Sequence, residues 1–365
     1  MALRAKTLYN RPLVNFSRST PERLILVCIC ALLAIGQSAI TDRGASLIVA
    51  LSALFGAVAA ELCLNYARRK PGLHDCSSFA TALILALLMP NTINPLIAGA
   101  AAVFAIAVVK GSFGGFGLNW LNPAIGGWLF ARFSWGGAFN QAMENSPFTF
   151  LSNLIKANTI SFDSSPLSIL NANGFGVRNG NRITSFLNDT VFSVFNIELP
   201  VNYFDFFINP GTGIIADRGV FGLLLGCAVL IAAKANRFVL SVIYLAVYLF
   251  LLRFAGVFTG VGVWGFSDML FCLLSGSTLT AAFLLVVEPV SAPKSVAGRI
   301  VAVVLAASLS FLFRYTKMEI FGAVLAVACI NTVTPFIRLI EERFFYESSY
   351  FKKWRLVISI SRSVR

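Results

Sequence analysis

Three stretches of this 365-residue chain carry residue types whose spacing could do chemistry. The first runs from Lys110 to Gly127 and reads KGSFGGFGLNWLNPAIGG. Its glycines permit close backbone approach, and N–H groups ahead of a helix make an anion site. The same small residues would also serve tight packing between helices. The phosphate-loop pattern GxxxxGK followed by Ser or Thr is absent from the sequence. The second stretch, 207–226, reads FINPGTGIIADRGVFGLLLG and sets Gly211 and Gly213 ahead of Asp217 and Arg218. It is either a binding turn or a helix start with Asp217 as its N-terminal charge. The third feature is a set of acids in or beside apolar runs: Glu61, Asp268 and Glu288. A carboxylate in a bilayer is costly, so each is a candidate for ion or cofactor handling, the plainer reading being a water-filled edge. Glu288 and Asp268 with Lys110, Asn119 and Asn122 form the candidate ion or cofactor pathway. No metal site is expected: His74 is the single histidine, and the seven cysteines contain no CxxC pair.

Composition decides what must position these residues. The chain is 57% hydrophobic and 12% charged, with a mean hydropathy of +0.79. That leaves too little charge to cover a soluble globule, which excludes a water-soluble enzyme. Long Ala/Leu/Val runs without strict alternation favour helices over barrel strands. The expected fold is therefore an all-α polytopic membrane protein. Apolar spans lie at 24–40, 46–66, 77–90, 95–109 and 121–133, then at 219–233, 238–254, 262–289, 299–313 and 319–339. Several fall short of the ~20 residues that cross a hydrocarbon core. The runs 77–90 and 276–289 both end at proline, as broken helices do.

Charge orients the spans. The chain holds 29 basic and 16 acidic residues, a net charge of +13. With the N-terminus inside and ten crossings, twenty basic residues fall inside and eight outside, with Arg132 at a helix end, as the positive-inside bias requires. That bias accounts for the net charge, and no nucleic-acid partner is expected. Basic residues before the first span, with no A-x-A-like site, point to a retained first helix and not a cleaved signal peptide. The expected segments are a cytoplasmic 1–23, a first transmembrane repeat 24–133, an extracytoplasmic loop 134–217, a second repeat 218–340 and a basic cytoplasmic tail 341–365.

The word repeat rests on two echoes. Residues 77–90 align without gaps to 276–289, matching Ser78/Ser277, Thr81/Thr280, Ala82/Ala281, Leu85/Leu284 and Pro90/Pro289. Asn119-x-x-x-Pro123 then returns as Asn331-x-x-x-Pro335. Five spans per half would make the two repeats inverted, an arrangement that sets sites at the interface of broken helices.

The stretches KGSFGGFGLNWLNPA, NPGTGIIADRGVFGLLLG, LLSGSTLTAAFLLVVEPVSAPKSVAGR and INTVTPFI resemble, in order and spacing, the D subunit of the Rnf ion-translocating electron-transport complex. They also resemble the homologous B subunit of the sodium-pumping NADH:quinone reductase. The likeness covers roughly residues 20–340. It implies an inner-membrane component of a bacterial redox-driven ion translocase, not catalytically complete alone, working between ferredoxin and NAD to export Na⁺ or H⁺. Two electrons falling ~100 mV release about 4.6 kcal/mol. Moving one charge against 100 mV costs about 2.3 kcal/mol, so roughly two ions per pair could move. The quinone-reductase component is the alternative reading. An inverted-repeat solute channel is the alternative of another class.

The resemblance further implies an FMN held by a phosphoester to a Thr hydroxyl in the motif D-x-x-S-x-A-T-P-L. Here residues 159–167 read TISFDSSPL. Pro166 and Leu167 match, Ser165 stands at the Thr, and Ser164 is its neighbouring alternative. Thr159, Phe162 and Ser164 replace the upstream Asp, Ser and Ala. The resemblance leaves room for a second, non-covalent flavin (riboflavin). It implies as partners the other Rnf-type subunits, one of them a second FMN carrier, and a flavin transferase for maturation, with the lipid bilayer around them.

Overall fold

The computed structural model describes residues 19–69, 76–115, 117–143, 213–233, 237–259, 269–288, 290–315 and 321–363, with residues 186, 189, 190 and 193 besides. The chain is a helical membrane protein, and among the described residues no β-strand occurs. Among the described residues, four helices are long and apolar enough to cross a membrane: Thr20–Thr41, Ala45–Ala67, Val296–Arg314 and Gly322–Arg343. Shorter apolar helices lie between them at Ser77–Leu88, Pro95–Lys110, Val220–Ala232 and Phe238–Phe254.

Local chemistry sets the boundaries. Helix α1 (Thr20–Thr41) begins with Pro in its first turn and Glu22 at its positive end, both favourable there. It stops at Asp42, and Gly44 turns the chain at φ 94°. Asp42 then accepts from the Ser46 backbone N–H at 3.0 Å and so starts α2 (Ala45–Ala67). Helix α4 (Pro95–Phe104) and helix α5 (Pro123–Ser134) open alike. An Asn side chain accepts the first backbone N–H groups while Pro occupies the first helical position.

Helix α3 (Ser77–Leu88) differs, because every residue except Phe79 is buried. A helix apolar all round belongs inside a bundle. Twelve residues rise only ~18 Å, short of a full crossing. Its C-terminal backbone is satisfied by an irregular segment from the other half. Asn91 N–H donates to Gly213 O (2.9 Å), Ile215 N–H to Met89 O (3.0 Å), and Gly213 N–H to Asn91 Oδ1 (3.1 Å). Non-helical backbone at membrane depth survives only with such partners.

The second half begins with α7 (Ile215–Arg218) and α8 (Val220–Ala232); α6 (Gly136–Met143) closes the first. After α9 (Phe238–Thr259), the expected single span 262–289 is in fact broken. Helix α10 (Met269–Leu274) ends at a bend, with Gly276 at φ 69° and Ser277 at φ 56°. Helix α11 (Thr278–Thr280) then runs into a π-helical segment, Ala281–Leu285. A similar π-helix, Ala105–Lys110, extends α4. Helix α12 (Val296–Tyr315) is followed by α13 (Gly322–Ser363). The last expected span stopped at 339, yet α13 continues as helix through Pro335 to Ser363. Threonines beside the proline take up carbonyls one turn back: Thr334 Oγ1 donates to Ile330 O (2.9 Å) and Thr332 Oγ1 to Cys329 O (2.6 Å).

Packing is close where glycines fall at helix contacts. Gly56 of α2 faces Gly99 of α4, and Ser52 Oγ donates to Pro95 O at 2.6 Å beside them. Helix α1 lies along α8, where Gly219 and Gly222 press on the backbone of Leu33 and Ala34, and Gly226 on Cys30. A Cβ at any of the three would collide, so the apposition of α1 and α8 depends on them. We expect Gly222→Val to lower the thermal stability of the detergent-solubilised chain by about 1–3 kcal/mol. Gly36→Ala on α1, where nothing lies within 4 Å, should be neutral or slightly stabilising.

Candidate ion and cofactor site

The buried polar residues gather around the starts of the two short helices. Helix α2 carries Glu61, α3 begins with Ser77 and Ser78, and the π-helical end of α4 delivers Lys110. Lys110 Nζ lies 2.8 Å from Glu61 Oε2 and donates to Ser77 Oγ at 2.7 Å. Ser78 Oγ donates to the same Glu61 oxygen at 2.9 Å. Lys110 is 2% and Glu61 8% exposed, so both charges are desolvated. Such a pair persists only when hydroxyls or backbone supply the remaining hydrogen bonds, which the two serines do.

A second cluster surrounds the start of α11. Asp217, on α7, accepts the backbone N–H of Gly276 (2.9 Å) and of Ser277 (2.8 Å). The sequence leaves Asp217 either in a binding turn or as the N-terminal charge of its own helix. The structure uses it to cap backbone some sixty residues away. Arg314, in the last turn of α12, donates to Cys272 O (3.2 Å), Ser275 Oγ (2.8 Å) and Tyr248 Oη (3.0 Å). Next to it the hydroxyls of Tyr244 and Ser310 are 2.6 Å apart. Arg314 counts as an outer-loop base in the sequence, yet it is only 4% exposed.

The remaining candidates meet between the halves. Glu288, just past the π-helix of the second half, accepts from Ser291 Oγ at 3.0 Å, and Asn122 of the first half lies near its carboxylate. Asn122 Oδ1 meanwhile accepts from Ala124 N–H (2.8 Å) and caps α5. Asn119 is buried with neither side-chain polar atom partnered. Thr280 Oγ1, Ser277 Oγ and Asn331 Nδ2 are also buried without partners. Each such group costs about 1–3 kcal/mol unless an ion, water or ligand answers it. Trp128 against Phe321, ring centroids 5.1 Å apart, joins α5 to the start of α13 beside this region.

Of the sequence candidates, then, Glu288 and Asn122 come near each other, while Lys110 pairs with Glu61. Asn119 stands buried in the loop before α5. Ser164, Ser165 and Asp268 lie outside the described residues. The glycine-rich stretch divides its work. Gly126 and Gly127 pack on Val109, Ala101 and Ala105, whereas Gly114, Gly115 and Gly117 turn the chain at positive φ. Arg314 is the functional candidate that the sequence missed. Its signal was there, a lone Arg in the final turn of an apolar run with no polar residue directly before it.

The family model described as NQR2, RnfD, RnfE matches residues 7–346. A curated relative from Clostridium ljungdahlii, named as the D subunit of a proton-translocating ferredoxin:NAD(+) oxidoreductase complex, is 26% identical over 91% of this chain and 93% of its own. One from Acetobacterium woodii, named as the D subunit of a Na(+)-translocating ferredoxin:NAD(+) oxidoreductase complex, is 24% identical over 94% and 95%. Another, from Methanosarcina acetivorans, is named as the D subunit of an ion-translocating oxidoreductase complex and is 24% identical over 87% and 89%.

The buried pair makes a sharp prediction. Lys110→Met leaves Glu61 unpaired and should destabilise the chain by about 3–5 kcal/mol. Adding Glu61→Gln should recover most of that loss, because no buried charge then remains. Thermal unfolding of the two single variants and the double variant reads the coupling. Additive losses would mean the two side chains act independently.

Proposed function

The chain belongs to the NQR2, RnfD, RnfE family, and from that premise we propose that it is the D subunit of an ion-translocating ferredoxin:NAD oxidoreductase complex. The observation that carries this is the end-to-end likeness to relatives of that name, over about nine tenths of both chains. The protein sits in a bacterial inner membrane with both termini cytoplasmic and the loop 134–217 outside. Its neighbours are the other subunits of the complex, among them a second FMN carrier. A flavin transferase matures it.

Two inverted five-helix repeats make up the membrane domain in this reading. The two polar clusters support it. Each surrounds the start of a short helix, each draws a cation from the end of a later helix (Lys110, Arg314), and each includes a carboxylate (Glu61, Asp217). In both, the residue at the helix start is a non-glycine in the left-handed region, Cys76 at φ 54° and Ser277 at φ 56°.

Ser165 carries FMN through a phosphoester, with Ser164 as the neighbouring alternative. The flavin, when bound, supplies one- and two-electron storage at the outer face. Asn119 suits a second, non-covalent flavin, since its buried amide offers a free donor and a free acceptor to a ring edge. The path for the ion runs past Glu288, whose carboxylate accepts from Ser291 and lies near Asn122 where the halves meet. Asp268 is proposed to serve the same path.

A phosphoester survives denaturation, so the chain co-expressed with its transferase should fluoresce on a denaturing gel under ultraviolet light. Ser165→Ala should abolish the band and Ser165→Thr should keep it. Loss with Ser164→Ala alone would move the attachment by one residue, and a dark wild-type chain would remove the covalent flavin from the proposal. Glu288→Gln should reduce ion uptake by membrane vesicles at least tenfold while the gel signal stays constant. Unchanged uptake would make Glu288 an ordinary edge residue.

A further inference from the structure

Lys110 ends in a ring of oxygens. Its Nζ lies 2.8 Å from Glu61 Oε2, 2.7 Å from Ser77 Oγ and 3.4 Å from Ser78 Oγ. These oxygens come from two helices, α2 and α3, and all four residues are buried. A carboxylate and hydroxyls converging on one point are the oxygen donors that a hard cation takes. Here the point is held by an ammonium, a cation tethered to the chain by its own stem.

Two observations set the cluster apart from an ion pair kept for packing. Apolar side chains of similar volume commonly hold a core at least as well as a buried pair, so charge retained among membrane helices marks an ion path. Lys110 is also delivered by the last turn of a π-helix, Ala105–Lys110, with Gly111 N–H donating to Ile106 O at 2.8 Å. Such turns recur at functional sites. Tightening this one to an α turn would rotate its last residue by ~100° about the axis, which takes Lys110 off Glu61 while α2 and α3 stay in place.

Charge decides how the site is shared. One carboxylate balances one cation, and a buried cluster holding both the ammonium and an ion would carry uncompensated positive charge. Occupancy is therefore exclusive. Glu61 lies six residues, ~9 Å, before the end of α2, where Arg68 and Arg69 are exposed and Arg68 donates to Gly111 O. The lysine stem can carry its ammonium toward that wet end.

We propose that Glu61, Ser77 and Ser78 form a binding site for a monovalent metal cation, and that Lys110 occupies it until the ion takes its place. This deepens the reading of the chain as an ion-translocating subunit by adding a site at the end of the bundle that carries Arg68 and Arg69. The exchange leaves the carboxylate and both hydroxyls answered throughout.

The test is thermal unfolding of the full chain in detergent, in sodium chloride and in choline chloride of equal ionic strength. The wild-type chain should melt alike in both, because Lys110 fills the cage. Lys110→Met empties it, and about 300 mM sodium should then raise its melting temperature by about 5 °C over choline. Lys110→Gln, a milder change, should respond in the same direction. Lys110→Met with Glu61→Gln should lose the response, and Ser77→Ala in the Lys110→Met chain should weaken it. A Lys110 variant that folds only in sodium gives the same result in its strongest form. Equal melting of both Lys110 variants in the two salts would overturn the proposal, as would their folding in neither. So would an undiminished sodium response in the double variant, a response of the same size in the wild-type chain, or full recovery of Lys110→Met in choline by acid alone. All of this is read without flavin or partner subunits, so failure here leaves the subunit assignment and the gel test of Ser165 standing.

Discussion

Glu61 and Lys110 are buried within 2.8 Å of each other, and each needs the other. Taking either charge out of water alone costs several kcal/mol, so the pair forms only if α2, α3 and α4 bring it together with Ser77 and Ser78. That requirement propagates. A short helix that begins in the interior exposes its first N–H groups there, and these must be answered by charge or hydroxyl. At α11 Asp217 answers them directly, while Arg314 saturates the hydroxyl and carbonyl groups around the bend. The C-terminal end of α3 is answered by backbone from 213–215. Broken helices are thus tolerated only because elements from distant parts of the chain converge on their ends.

Much of the helical layout was legible because a bilayer demands long apolar runs and polar punctuation. The Asp42-Arg43-Gly44 step separates α1 from α2 within a residue or two of where hydropathy falls. Asn94-Pro95 and Asn122-Pro123 announce α4 and α5 through capping chemistry that is local in sequence. Two features were not legible. The bend at 275–277 falls on a Ser-Gly-Ser stretch, but the partner that holds its left-handed Ser277, Asp217, is a long-range contact that no local pattern reports. Pro335 lies within the expected span 319–339, and what was not legible is that α13, packed against α12, runs on through it to Ser363.

The polar candidates were legible one at a time and illegible as pairs. Glu61 and Lys110 each stand out against apolar surroundings, but 49 residues separate them. Glu288 and Asn122 lie in different halves, and they come near each other only once both short helices are in place. Arg314 looked like a loop base because a charge at the edge of an apolar run has two explanations, snorkelling to water or burial against partners. Tyr248 and Ser275, which decide for burial, lie 66 and 39 residues away.

The two kinds of buried polar residue in this molecule differ in how completely they are satisfied. Several groups at helix ends are matched, Glu61 by Lys110 and Ser78, Asp217 by two N–H groups and Asn122 by the start of α5, although the Ser277 hydroxyl at the start of α11 is open. At Asn119, Thr280 and Asn331 the buried polar atoms are left open. A fully matched network is stiff, since any rearrangement must break a desolvated hydrogen bond before another forms. Such a network suits the ends of broken helices, whose geometry must not drift. An unmatched amide or hydroxyl carries its cost permanently in the empty protein and regains it only when something binds. At the bend of the second half the open Ser277 and Thr280 hydroxyls stand beside the matched contacts of Asp217 and Arg314, so the stiff part of the network holds the open part in place.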